Sequence, residues 1–292
     1  KTPWEIQNTV KIKARIFLIM TIKLSLPKLP KKQSMRYFGS FSLFLFLAVL
    51  IHSCSSDESN TPNDPNIENN RPLGTSAADI LGPNEYGLLT VELVYTNSFR
   101  PEPSSILGFK NFVLGLANKP QGVQFIERVI PNQPGAPFSI EEIRAIEEAN
   151  RTVYTEGNNL GVYVFFSNGA SENDTNNSVT LGTAYRNTSI VIYQKTLELI
   201  TQTDPDVLPI LEQTTLNHEM GHLMGLVNIQ NDDIHQVHED PNSEKHCLHE
   251  DCLMYYDATN VGRQMLNRWT QLRAVPQLDV QCLQDLQAKG AL

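Results

Sequence analysis

The sequence predicts an α/β (α+β) chain with a mixed, twisted sheet of about five strands, two helices and a third, longer helix. A small irregular C-terminal part closed by a short helix completes it. Three observations carry this reading. Alternating or β-branched runs recur between residues 88 and 193, helical stretches separate the first three of them, and one long helical stretch follows the last.

Leu88 to Tyr95 (LLTVELVY) reads as the first strand. Ile106 to Leu116 (ILGFKNFVLGL) has helical periodicity and stops at Asn118-Lys119-Pro120. Val123 to Ile130 (VQFIERVI) is the second strand. Ser139 with Glu142 three residues on forms the pattern of a capping box and opens a helix to about Arg151. Gly161 to Ser167 (GVYVFFS) is apolar throughout, as a central strand should be. After a polar loop, Val179 to Tyr185 and Ser189 to Tyr193 read as two more strands. Val207 to Leu226 is the long helix, and Leu278 to Lys289 the closing one.

Ahead of residue 76 the composition changes. Residues 1–53 carry nine Lys/Arg against one Glu, whereas the rest carries 14 against 31. An acidic body repels phosphate backbones, so nucleic acid is not an expected partner. Phe41 to Ile51 (FSLFLFLAVLI) is an unbroken apolar run behind Arg36, short for a membrane span and suited to a signal-peptide core. Residues 35–53 are therefore expected to be a signal peptide, and residues 1–34 over-called upstream sequence. Cys54, directly after the run, resembles the lipidated cysteine of a bacterial lipoprotein. Export across the inner membrane and lipid anchoring at the outer membrane or cell surface follow as expectations. Residues 54–75, rich in Asn, Pro, Ser and acid, are expected to be a tether with nothing to bury. The folded body is then expected as residues 76–226 followed by a C-terminal part, 227–292, and as a monomer.

Six of the seven histidines fall between His218 and His249. The cluster opens with His218-Glu219-Met220-Gly221-His222 inside the long helix. Residues i and i+4 share a helix face, so both imidazoles can reach one metal ion, with zinc the natural choice for neutral imidazole. Glu219 lies beside them, placed to take a proton from water at that ion. Gly225, three residues after His222, suits a sharp helix end that needs a left-handed residue. Farther on, Cys247-Leu248-His249-Glu250-Asp251-Cys252-Leu253-Met254-Tyr255-Tyr256 supplies a methionine that could lie beneath the metal site.

This pattern resembles the metzincin zinc peptidases, whose extended motif H-E-x-x-H-x-x-G-x-x-H is followed by a Met-turn. Here HEMGHLMGLVN has Asn228 where the third His of that motif stands. The chain resembles archaemetzincins, where the third His directly precedes C-x4-C-x-M, and metalloprotease lipoproteins of Bacteroidetes. That piece reads His246-Cys247-x4-Cys252-x-Met254, displaced by an insertion from Asn228 to Lys245. The resemblance implies a metzincin-like fold and zinc-dependent endopeptidase activity on proteins or peptides. Zinc ligands would be His218, His222 and His246, with His238 and Asn228 as alternatives for the third. Glu219 would be the general base, Met254 the Met-turn residue, and Tyr256 a hydrogen-bond donor to the transition state. It also implies that a strand ahead of the long helix, Leu181 to Tyr185 or Ser189 to Tyr193, pairs with the substrate.

Cys247, Cys252 and Cys282 remain in the body. They are expected to form a disulfide with one thiol left over, or, with a nearby His, to hold a second, structural zinc. Two other functions stand beside the main one. A downstream Glu239 or Glu244 could replace the third His, or the chain could be a non-catalytic metal-binding or degenerate peptidase lipoprotein. Asn228 favours the last and the intact Glu219 opposes it.

Overall fold

The computed structural model describes residues 66–256, 260–261 and 273–292. The expected signal peptide and Cys54 lie outside these residues. No helix among the described residues is long and apolar enough to cross a membrane.

After a short helix α1 (Ala77–Leu81), the chain forms β1 (Leu88–Thr96), α2 (Pro103–Leu116), β2 (Val123–Ile130), α3 (Ile140–Asn150) and β3 (Asn159–Phe166). There follow β4 (Val179–Thr180), β5 (Gly182–Arg186), β6 (Ser189–Ile192), α4 (Gln194–Ile200) and α5 (Leu208–Leu223). A two-residue β7 (Asn260–Val261) and α6 (Val280–Ala288) close the chain. The sheet order is β2-β1-β3-β6-β5. β1 pairs parallel with β2 and β3, β3 parallel with β6, and the edge strand β5 antiparallel with β6. It is thus a mixed five-stranded α/β sheet.

The helices divide between the two faces for a topological reason. The chain steps from β1 outward to β2 and then back across β1 to β3. Right-handed crossovers in opposite directions must pass over opposite faces. α2 accordingly packs with α4, α5 and α6 on one side, where Leu89, Val91 and Leu93 of β1 meet Val162, Val164 and Phe166 of β3. α3 covers the other side with Ile143 and Ile146 against Val94, Tyr163, Phe165 and Val191. Successive residues of β3 feed both cores, the two-residue period of a strand buried on both faces. The expected capping box of α3 is present, with Ser139 Oγ accepting from the Glu142 N–H at 3.2 Å and Glu142 Oε2 from the Ser139 N–H at 2.8 Å.

Three expectations need correction. The tether does not reach residue 75. Asn69 is buried, and its amide donates to Thr155 Oγ1, the Gly161 carbonyl and Thr188 Oγ1 at 3.0–3.1 Å. The expected strand Val179–Tyr185 is interrupted at Leu181: β4 pairs antiparallel with β7, and only β5 joins the main sheet. The long helix ends at Leu223 rather than Leu226, and α1 and α4 are additional helices. The C-terminal part shares the larger core, since Leu253, Met254 and Leu286 pack in one cluster with Leu216 and Met220 of α5.

Candidate metal centre and cleft

α5 is buried on nearly all sides over its last three turns, so its polar residues must find partners inside the protein. Glu212 Oε2 accepts from the Glu102 N–H at 2.8 Å and from Ser105 Oγ at 2.6 Å, and Glu212 Oε1 from the Gln194 side chain. One carboxylate thereby ties α5 to the start of α2 and to α4. The threonines at 214 and 215 donate back to the carbonyls of Ile210 and Leu211, each at 2.8 Å.

The helix stops in a Schellman arrangement. Leu226 N–H donates to Gly221 O at 2.9 Å and Gly225 N–H to His222 O at 3.0 Å. Gly225 has φ +90°, a backbone conformation that a side chain would strain. The turn swings the Leu226 carbonyl onto His222 Nδ1 at 2.6 Å. From Asn228 the chain makes an excursion that closes on itself, with Val227 N–H donating to Lys245 O at 3.3 Å. The next residue is His246.

The structure brings His218, His222 and His246 together. One ring nitrogen from each lies within 4.8 Å of the others. Their ring centroids stand 4.7, 5.3 and 5.1 Å apart, close to an equilateral triangle. Each Nδ1 faces a main-chain carbonyl: His218 that of Leu253 at 2.8 Å, His222 that of Leu226, and His246 that of Glu244 at 2.9 Å. Such bonds fix the tautomer and leave the Nε2 lone pairs free. His218 Nε2 is buried with no partner in the protein. Three imidazole nitrogens converging in a buried space, one of them orphaned, suit a divalent cation such as zinc. Burial holds the pKa of His218 well below the imidazole range, and the neighbouring His222 and His246 rings depress it further. Burial, then His246, lowers His222 to about 3. Both are neutral at pH 7, the protonation state a metal requires.

Glu219 is buried beside the histidines, and burial raises its carboxyl pKa to about 8, opposed by one N–H bond. That bond comes from Ala184 of β5 to Oε2 at 2.7 Å. The general base expected on α5 is therefore held by the edge strand. Met254 lies under the centre, fully buried against Gly221. Tyr256 stands at the rim, 37% exposed, its ring centroid 5.1 Å from that of His246 and nearly perpendicular to it.

A cleft of about 330 Å³ opens over the centre, walled by Gly182, Thr183 and Ala184 on one side and by Glu219, His222 and His246 below. Of the two strands expected to meet a substrate, β5 is the sheet edge. Ser189–Ile192 lies between β3 and β5 and is buried throughout.

The alternatives for the third ligand go elsewhere. The Asn228 amide donates to the Gln236 carbonyl and to Glu239 Oε2 at 3.1 and 3.0 Å. Glu239 Oε1 accepts from the Lys245 N–H at 2.7 Å, so both carboxylate oxygens of Glu239 are engaged. His238 joins a second cluster. One ligand atom each from His238, Cys247, Asp279 and Cys282 lies within 4.8 Å of the others, and Cys252 Sγ is 3.7 Å from Cys282 Sγ. The three cysteines are buried thiols with no disulfide between them. Both His238 ring nitrogens lack a hydrogen bond of good geometry, although Nε2 faces Asp285 Oδ2 at 3.2 Å. Asp279 and Asp285 escaped the sequence reading. The available signal was their position on either side of Cys282, three residues away in each direction.

No protein-family model matches the chain. No curated protein matches it either. Among solved structures it is similar to archaemetzincin from Methanopyrus kandleri, at 17% identity and a TM-score of 0.44, over 70% of this chain and 96% of that one. It is similar to a zinc-dependent peptidase from Methanocorpusculum labreanum (strain Z), at 14% identity and a TM-score of 0.42, over 67% of this chain and 99% of that one. It is also similar to metalloproteinase-II from Bacteroides fragilis, at 14% identity and a TM-score of 0.40, over 71% of this chain and 54% of that one.

Proposed function

We propose that the protein is a zinc-dependent peptidase whose catalytic centre is His218, His222, His246 and Glu219. The convergence of three imidazole nitrogens, two of them on buried rings, beside a buried carboxylate and under a sheet edge, carries this reading. His218, His222 and His246 would hold a zinc ion, which when bound would supply a Lewis acid for the peptide carbonyl and acidify water.

The chain's own residues do the rest. The open edge of β5 aligns an extended peptide by main-chain hydrogen bonds, as an added strand. Glu219, with Oε2 held by Ala184, keeps Oε1 to take a proton from the attacking water and hand it to the leaving amine. Tyr256, beside His246, donates a hydrogen bond to the oxygen that gains charge. Met254 fixes the floor. His238, Cys247 and Cys282, with Cys252 adjoining, would hold a second, structural zinc. A Cys252–Cys282 disulfide is the competing arrangement; as free thiols their sulfurs stand 3.7 Å apart. Export and lipid anchoring at Cys54 belong to the same proposal and rest on the apolar run Phe41 to Ile51.

The second function, a metal-binding protein without catalysis, has Asn228 in its favour. The experiment that separates the two measures zinc content and hydrolysis of a degenerate peptide library by the native protein and Glu219→Gln. Retained zinc with a rate about 10²–10⁴-fold lower in the variant is expected. Zinc without hydrolysis in either form would leave only the binder.

A further inference from the structure

Gly182 opens β5, the edge strand that walls the cleft. A glycine in a strand gives up side-chain packing and loses more conformational freedom on folding than any other residue. It therefore marks a left-handed residue, a bulge or a close approach. Gly182 is not among the residues with positive φ. It pairs with Ile192 of β6, and the irregularity in that ladder lies farther on, between Ala184 and Arg186. The close approach remains, and it is to α5. A methyl group on Gly182 would lie 2.7 Å from Thr215 Cγ2, 2.8 Å from Glu219 Cγ and 3.0 Å from Glu219 Oε1.

These two neighbours differ in how they can yield. Thr215 is pinned, because its hydroxyl donates to the Leu211 carbonyl at 2.8 Å while its methyl group faces Gly182. Glu219 ends in a flexible carboxylate, held by the Ala184 N–H on Oε2 at 2.7 Å. One short stretch of β5 thus touches the carboxylate side chain twice. Ala184 draws Oε2 to the strand, and the bare Cα of Gly182 leaves room for Cγ and Oε1 to lie against it. A methyl group at residue 182 is relieved most easily by turning Glu219 away, and that movement gives up the Ala184 bond.

We propose that Gly182 is a positioning residue for the reaction: the absence of a side chain there sets where the Glu219 carboxylate stands and how it is aimed at water beside the three histidines. This rests on the peptidase reading above and adds to it a residue that acts through the base.

The test places Gly182→Ala in the zinc-loaded full chain, in native and Glu219→Gln backgrounds, and uses the best-cleaved peptide of the degenerate library. In the native background kcat is expected to fall about 10–100-fold, with KM within about twofold and zinc content unchanged. In the Glu219→Gln background the same substitution is expected to change the residual rate by less than about twofold, because the base is already gone. Equal losses in both backgrounds, a raised KM with kcat unchanged, or loss of zinc overturns the proposal. Thr215→Ser guards against a folding defect, since it deletes the methyl group and keeps a hydroxyl for Leu211. Gly182→Ala with Thr215→Ser is expected to melt as the native protein does while kcat stays low. Recovery of kcat together with the melting temperature overturns the proposal, because crowding between strand and helix was then the whole defect. Native kcat in Gly182→Ala overturns this inference alone and leaves the peptidase standing. No cleavage by the native protein overturns the peptidase reading and this inference with it.

Discussion

Met254 occupies the space that Gly221 leaves on α5: a methyl group at Gly221 would lie 2.5 Å from the Met254 sulfur. Gly221 sits between Glu219 and His222, so the contact sets the height of the metal-facing turn above its floor. Gly221→Ala gains about 1 kcal/mol of helix propensity and incurs an overpacking cost of about 1–3 kcal/mol. A net loss of up to about 2 kcal/mol is expected in chemical denaturation, with weaker zinc retention on dialysis against a chelator. An unchanged denaturation midpoint would show that Met254 can move aside freely.

Metal content should separate the two histidine clusters. Two zinc ions per chain are expected for the native protein, one at His218/His222/His246 and one at His238 with the cysteines. His246→Ala should lose the first ion and all hydrolysis. Cys282→Ser should lose the second ion and lower the melting temperature, with the first retained. One zinc in the native protein and two fewer titratable thiols would establish the disulfide instead.

Tyr256 is tested by removing only its hydroxyl. As a donor used in the transition state, Tyr256→Phe should lower kcat by about 10–100-fold with KM little changed. Its ring packs edge-on to His246, so the Phe ring preserves that contact. Equal kcat in the two forms would reduce Tyr256 to a packing role.

Acid stability should depend on Glu92, a buried carboxylate on β1. Burial pushes its pKa up, but this is outweighed by the Thr152 hydroxyl, the Thr152 and Val153 N–H groups and Arg128, and the net value is lowered from 4.5. A lowered folded-state value means that the stabilisation is complete above pH 4.5 and is lost as pH falls through the folded value. Glu92→Gln should therefore melt lower at pH 7 and show a shallower decline between about pH 5 and 3. Parallel native and variant curves across that window would rule the carboxylate out.

The sheet and the first two crossover helices were legible because their signals are local. Alternation marks β1 and β2, a continuous apolar run marks β3, and Ser139 with Glu142 marks the start of α3. The placement of His246 beside His218 and His222 was anticipated only through the family resemblance that His-Cys-x4-Cys-x-Met carries, with His238 and Asn228 left open beside it. The segment ahead of α1 was not legible. A polar string from Asn66 to Pro72 has the composition of a tether, and nothing local shows that one amide, Asn69, will bond three separate parts of the fold. His238 was similarly ambiguous, because Asp279, Cys282 and Asp285 beside it come from the start of α6 and its first turns, more than forty residues away. The break at Leu181 depends on β7, a strand too short to leave a pattern in the sequence.

The buried amide of Asn69 also fixes where this molecule can be trimmed. A fragment begun at Asn66 keeps the bonds to Thr155, Gly161 and Thr188, the Asn187 clamp on Arg71 and the wall at Leu73. One begun at Ser76 leaves the Thr188 hydroxyl without its amide donor and the cleft without the Leu73 part of its lining. A protease that releases the body from whatever precedes it must therefore cut upstream of Asn69, or it hands over a protein with a loosened sheet edge.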